Sequence, residues 1–265
     1  MQIHVTKFNN SLKFTYLTNK LYKKLLTYIN CNDNIGLCEY INTLTDTKYN
    51  IYQKFVLMLH IYKYCINDKI VYEYDGKKYI YYLDELIDAM PQINDEHWLS
   101  INDEASVLIK LPNVFYSNID LTQDTLTTAN MNDYFINNCI TALKVGDNVY
   151  ELAPEDVEQL PANFLNTAIT YIRNLDTTLQ NIKFLDQLGV KISMFSMLSI
   201  ITVLFKLNIH MFYEFEYTMR KYAKLTNFDE LTYKESHEMA DIYTHDLQEQ
   251  KSAIENAKQS INNHQ

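Results

Sequence analysis

A chain of 265 residues, 47% of them hydrophobic and with 12 Phe and 22 Tyr, is long and apolar enough to bury a core, which excludes a disordered protein. Its net charge of −10, with Arg173 and Arg220 as the only arginines, speaks against a nucleic-acid partner, because phosphate contacts require a basic patch. Four Gly and four Pro exclude a Gly-rich phosphate cradle and imply long continuous elements.

Ile3 and Val5, then Leu12, Phe14 and Tyr16, alternate on either side of Asn9-Asn10-Ser11, which predicts an opening hairpin rather than a signal peptide. Thr18 or Asn19 can cap a helix carrying Leu21, Leu25, Leu26 and Ile29 on one face. A short helix with Ile35, Cys38, Ile41 and Leu44 follows. A third, from about Tyr49 to Ile66, carries Ile51, Phe55, Met58, Leu59 and Tyr62. Then the period becomes that of a strand. Lys69 to Tyr74 and Lys78 to Leu83 flank Asp75-Gly76, a hairpin signal, and the strands are rich in tyrosine. Asp84 to Met90 reads as a short helix stopped by Pro91.

Residues 92 to 130 are the least regular part. Ala105 to Leu111 predicts a strand, and a polar loop runs from Pro112 to Asn130; loops of this length tend to be functional or ordered by a partner. Trp98, the only tryptophan, falls between predicted elements and suits an interface or a core seal. A short helix from Met131 to Cys139 precedes a second hairpin, Ile140 to Lys144 and Val149 to Leu152, about Gly146-Asp147-Asn148.

From Pro154 onward no strand pattern remains. A short helix opens at Pro154-Glu155-Asp156, and a long one runs from Asn163 to Leu188, ended by Gly189 in a left-handed cap. Val190 to Tyr222 is the expected centre of the fold. Lys191 and Lys206 bracket fourteen uncharged residues, short of the roughly 20 that a bilayer needs, so the stretch predicts a buried core helix and no membrane. Past Lys206 it turns amphipathic, with Ile209, Met211, Phe212, Phe215, Met219 and Tyr222 inward and Glu214, Arg220 and Lys221 outward. Asn227 is the expected cap of a last helix with Leu231, Met239, Ile242 and Leu247 apolar, its end beyond Gln248 left polar. The predicted fold is α+β and predominantly helical. Residues 1–152 hold hairpins and short helices, and 153–265 a helical hairpin around the central buried helix, with a soft boundary that leaves one domain open.

Candidate chemistry is sparse. His237, Asp241 and His245 share a helix face at the spacing of metal ligands, but no second cluster completes a shell, so no metal and no cofactor is expected. His210 and Glu214 share another face and read as a hydrogen-bonded pair rather than an acid–base couple; Glu216 and Arg220 form an ordinary helix ion pair. Asp75-Gly76-Lys77-Lys78 is a turn, and Met194, Met197, Met211 and Met219 are core filling. Cys31, Cys38, Cys65 and Cys139 lack CxxC and zinc-ribbon spacing, as reduced thiols would.

The order of elements carries a resemblance. Leu12-Lys13-Phe14-Thr15-Tyr16-Leu17 runs straight into a Leu/Lys helix, and Phe212-Tyr213-Glu214-Phe215-Glu216-Tyr217 precedes Asn227-Phe228-Asp229-Glu230-Leu231-Thr232-Tyr233-Lys234-Glu235 and a charged terminal helix. In this the first 65 and last 60 residues or so resemble the baseplate hub and hub-assembly proteins of T-even-like contractile-tailed phages. The chain departs from them at Phe14-Thr15-Tyr16 and Lys23-Lys24, where that family tends to have Arg-Pro followed by acids. The resemblance implies a non-enzymatic virion component, assembled in the host cytoplasm, that binds other tail or baseplate proteins in a multi-subunit complex. Two alternatives stand beside it: a cytoplasmic chaperone or adaptor absent from the finished particle, and an enzyme whose site is assembled from distant residues such as His210 and Glu214. The expected partner surfaces are the loop 112–130 and the tail beyond Gln248, with the hairpin Tyr72–Tyr82 next.

Overall fold

The computed structural model describes residues 2–8, 10–94, 96–116 and 128–262; it is 56% helix and 17% strand, the predominantly helical α+β fold expected. Strands β1 (Gln2–Phe8) and β2 (Asn10–Thr15) form the opening hairpin, and β2 turns Leu12 and Phe14 into the core. Helix α1 (Asn19–Asn30) follows at once, with Tyr22, Leu25, Leu26 and Ile29 buried along one face, and α2 (Asn34–Leu44) packs on it.

Helix α3 (Ile51–Cys65) is covered most completely. Asn50 opens it with a capping box: its Oδ1 accepts from the Gln53 amide at 2.9 Å, and Gln53 Oε1 accepts from the Asn50 amide at 3.1 Å. Phe55-Val56-Leu57-Met58-Leu59 leaves no polar face, and all five side chains are fully buried.

Strands β3 (Lys69–Tyr74) and β4 (Lys77–Tyr82) pair around Asp75 and Gly76, both at positive φ as the two-residue hairpin turn demands. Helix α4 (Leu83–Ala89) ends before Pro91. The third sheet differs from expectation. Strands β5 (Glu96–Ser100), β6 (Ala105–Lys110), β7 (Ile140–Val145) and β8 (Asn148–Glu151) form one antiparallel sheet in sequential order. Trp98 therefore lies on a strand, opposite Leu108, and is 40% exposed. An edge strand with so little burial has no alternating pattern for a sequence reading to find. Helix α5 (Thr128–Cys139) packs on β7. A short helix, α6 (Pro154–Val157), leads to α7 (Ala162–Gln180), which packs on α5 and β6.

Helix α7 ends at Gln180, not Leu188. The chain must leave the helical path to bury Phe184, which meets the Tyr81 ring edge-on at 5.4 Å, and Leu185 turns at φ +48°. Gly189 does take the left-handed conformation, but closes a one-turn helix at Asp186–Leu188.

The expected single helix from Val190 to Tyr222 is two, α8 (Met197–Phe205) and α9 (Ile209–Lys221). Two polar devices interrupt it. Ser193 and Ser196 exchange amide-to-hydroxyl bonds of 2.8 and 3.1 Å before α8, and Asn208 Oδ1 caps α9 by accepting from the His210 amide at 2.9 Å. Helix α8 buries Met197, Leu198, Ile200, Ile201 and Phe205, packing against α3 and α1, while Val203 is 64% exposed. On α9, Phe212 and Met219 are buried, but Met211 and Tyr222, expected inward, are exposed. The body covers only a narrow stripe of this helix. Met197–Lys221 taken together is long and apolar enough to cross a bilayer by length and composition alone, but the chain leaves the helix at Lys206-Leu207-Asn208.

Helix α10 (Tyr233–Asn262) begins at Thr232, not Asn227, which precedes a one-turn helix at Phe228–Glu230. Thr232 and Glu235 form the cap, with the Thr232 amide donating to Glu235 Oε2 at 2.7 Å and the Glu235 amide to Thr232 Oγ1 at 3.1 Å. Met239, Ile242 and Leu247 on α10 are all exposed. Buried side chains from Leu12 to Phe228 form one contiguous hydrophobic cluster that includes residues on both sides of position 153.

Candidate functional site at the joint of the chain ends

The two ends of the chain meet at Asn19. It is the first residue of α1, fully buried, and its backbone amide donates to the Leu231 carbonyl at 2.6 Å. Its side-chain Nδ2 donates to the Phe228 carbonyl at 2.9 Å and to Ser236 Oγ at 2.5 Å, with a longer contact of 3.4 Å to the Thr232 carbonyl. Thr18 and Thr232 add an antiparallel bridge beside it. Thr18 holds the cap position of α1 without a side-chain cap bond; the remote Leu231 carbonyl satisfies the helix's first amide instead. Asn19 Oδ1 has no hydrogen-bond partner among the described residues.

Aromatic rings fill the space beneath. Tyr22, Phe212, Phe215, Phe228 and Tyr233 meet one another at centroid distances of 5.4 to 6.0 Å. His237 lies flat on Phe215 at 4.3 Å and edge-on to Tyr233 at 4.5 Å. Burial holds its imidazole below the usual histidine range, against the pull of Asp241. His237 thus rests its ring on Phe215 and Tyr233 while part of it stays exposed, with Asp241 one turn on close enough to act on its charge. Among the described residues, the potential ligand atoms that converge within 4.8 Å belong to His245, Asp246 and Glu249, all exposed.

A line of charges borders the joint. Lys23 Nζ lies 2.8 Å from Glu216 Oε2, Arg220 Nε 3.0 Å from Glu216 Oε1, and Arg220 Nη2 2.8 Å from Asp229 Oδ2. The expected Glu216–Arg220 pair is therefore part of a network that ties α1, α9 and the Phe228 turn together. A shallow groove of about 580 Å³ opens here, lined by Thr18, Lys20, Lys23, Asp229 and Glu230. Its lysines and carboxylates oppose one another, which suits mixed polar contact rather than capture of a single charge type.

The outer side of α9 adds an aromatic face. Tyr213, Tyr217 and Tyr222 are exposed, with Lys23 Nζ 4.6 Å from the Tyr213 ring centre and Lys221 Nζ 5.0 Å from both Tyr217 and Tyr222. His210 and Glu214 are exposed on the same helix, and among the described residues no hydrogen bond joins their side chains.

The loop 112–130 divides. Pro112 accepts from the Ile51 amide at 2.8 Å and Asn113 from Lys54 Nζ at 2.5 Å, while Phe115 is buried and Tyr116 meets Phe195 and Tyr134 edge-on. Residues 112–116 are therefore anchored in the body, correcting the expectation of a partner-ordered loop for that part; 117–127 lie outside the described residues. Lys54, only 1% exposed, escaped the sequence reading although a lysine beside an unbroken apolar run was its signal; burial holds its amine below the usual range. Compared with known proteins, the chain matches no family model, no curated protein and no solved structure.

Proposed function

We propose that this chain is a non-enzymatic structural or assembly component that works by protein–protein contact, and, on the resemblance of its two ends, that it serves in the tail baseplate hub of a contractile-tailed phage. The observation that carries the reading is the outer face of α9, where Tyr213 and Tyr217, one turn apart, stand exposed with Tyr222 just past the helix end. Tyrosine is enriched at interface centres, and Lys23, Glu216 and Arg220 supply a charged rim. Val71, Ile80 and Tyr82 form a second open face on the β3–β4 hairpin, as a component held between neighbours requires.

The test is quantitative mass spectrometry of purified phage tails together with the assembly intermediates that precede them. The reading expects the chain in both, and expects Tyr213→Ala combined with Tyr217→Ala to lower its incorporation while its melting temperature stays unchanged. Presence in intermediates but not in tails points to the chaperone or adaptor alternative. Absence from both overturns the tail assignment.

A further inference from the structure

Helix α10 continues well past its contacts with the body. Tyr233, Ser236 and Ala240 face inward, Ser236 being fully buried, and the helix then runs on through Asn262. From residue 244 to 255 every side chain is exposed. A polar helix of that length with no tertiary contact is marginal in water, since helices in proteins draw most of their stability from a packed face.

The face that docks on the body does not end there. Ala240, Leu247, Ile254 and Ile261 recur at intervals of seven, and Ser236, Tyr243, Gln250 and Ala257 repeat between them at the same interval. These are the two core positions of a coiled coil, and their repeat keeps a single seam along the helix. The body occupies the seam as far as Ala240. Beyond it Leu247 is 36% exposed and Ile254 55% exposed, on a stretch from Tyr243 to Glu255 roughly 18 Å long at about 1.5 Å per residue. Asp241, His245, Gln248 and Glu255 keep the opposite side polar, although Ile242 also lies outside the seam.

We propose that α10, from Tyr243 onward, pairs with α10 of a second copy of this chain as a parallel two-stranded coiled coil. Charge sets the occupant and the direction. Flanking the seam stand Asp246 and Lys251, five positions apart. In a parallel pair of identical helices these positions face each other across the interface, so Asp246 of each copy meets Lys251 of the other, twice by symmetry. An antiparallel pair sets each flanking position against its own kind and leaves both charges unmatched. Gln250 meets Gln250 in the parallel register, and such a polar layer in an apolar seam fixes register at some cost in stability. This inference goes beyond the proposed function and holds whichever larger assembly the chain enters.

The experiment is sedimentation equilibrium of the full-length protein over a concentration series, with a disulfide trap as a second readout. The expected species is twice the 31.3 kDa chain, returning to the single-chain mass in Leu247→Glu combined with Ile254→Glu while the body's melting transition is unchanged. Asp246→Lys should weaken pairing, and adding Lys251→Asp should restore it. In a Cys31→Ser background, Ile254→Cys should give a disulfide-linked pair under mild oxidant, because a parallel register sets residue 254 opposite itself, and Ile242→Cys should not. A single-chain mass throughout, with no Ile254→Cys product, overturns the proposal and leaves the seam to a different protein. A pair that survives Leu247→Glu with Ile254→Glu overturns it as well, since the contact then lies elsewhere.

Discussion

Asn19 and Ser236 are separated by 217 positions, yet their side chains meet at 2.5 Å in a site from which water is excluded. The contact couples the start of the first helix to the second turn of the last. Removing a buried donor strands its acceptors without solvent, so Asn19→Ala should destabilise the protein by about 2–4 kcal/mol. Ser236→Ala should cost about 1 kcal/mol. Because the two side chains share one bond, the double variant should cost less than the sum. Chemical denaturation of the four proteins measures this; strict additivity would show that the amide and the hydroxyl stabilise the fold independently.

The orientation of α8 gives a matched pair. Ile201 is fully buried and Val203 is 64% exposed. Ile201→Asp places an unpaired charge in the core at a cost of several kcal/mol and should abolish soluble expression. Val203→Asp, even near a helix C-terminus where acids are disfavoured, should stay within about 1 kcal/mol of wild type. Equal damage from both substitutions would mean that α8 is covered on all sides, by protein or by lipid.

Which parts of this fold could be read from the sequence follows from what stabilises them. The β3–β4 hairpin was legible because Asp75-Gly76 encodes its turn locally, and α1 because its buried residues recur on one face. The break between α8 and α9 was not legible. An apolar run announces burial but carries no punctuation, and the device at the break, the Asn208 cap of α9, looks like an isolated polar residue. On α10 the sequence points to Met239, Ile242 and Leu247 and to a polar end past Gln248, so the line through Ala240, Leu247 and Ile254 is not legible, and periodicity does not say whether a face meets this chain or another. The joint at Asn19 was hidden for a further reason. A residue legible as a local cap spends its side chain on partners near residue 230, a pairing that only the tertiary fold creates.

The four thiols should separate cleanly by reactivity. Cys31 is exposed, whereas Cys65 and Cys139 are fully buried. Burial pushes the Cys38 thiol up to about 11 and the Cys65 thiol up to about 12, and raises that of Cys139 as well. The thiolate is the reactive form, so at about pH 8 the folded protein should present one rapidly alkylated cysteine. Cys38, half-buried, should follow slowly, and Cys65 and Cys139 only on unfolding. Mass-resolved alkylation over time checks the order; rapid labelling of Cys139 in the folded protein would contradict the packing around α5.

Asp176 carries the clearest pH signature. It lies on α7, 3% exposed; its Oδ1 accepts from the Met194 amide and its Oδ2 from Gln180 Nε2, both at 2.7 Å. Among the described residues no lysine, arginine or histidine forms an ion pair with it. Burial raises the folded pKa of this carboxyl, and the two hydrogen bonds only partly oppose that. The folded state therefore holds the proton to higher pH than the unfolded chain does. The stability contributed by that proton is fully present below the unfolded pKa, about 3.9, and is lost as pH rises through the raised folded value. Asp176→Asn keeps an oxygen for the Met194 amide and removes the charge, while the Gln180 amide can turn to offer its own oxygen. Relative to wild type, Asp176→Asn should therefore gain stability as pH rises from acid to neutral. Asp176→Ala strands the Met194 amide and should cost about 1–3 kcal/mol at acid pH, and less as pH rises, since it too removes the titrating carboxyl. Urea unfolding of the three proteins across that range measures both effects. If Asp176→Asn instead loses ground to wild type as pH rises, the ionised carboxylate is favoured in the fold, and its hydrogen bonds outweigh its burial.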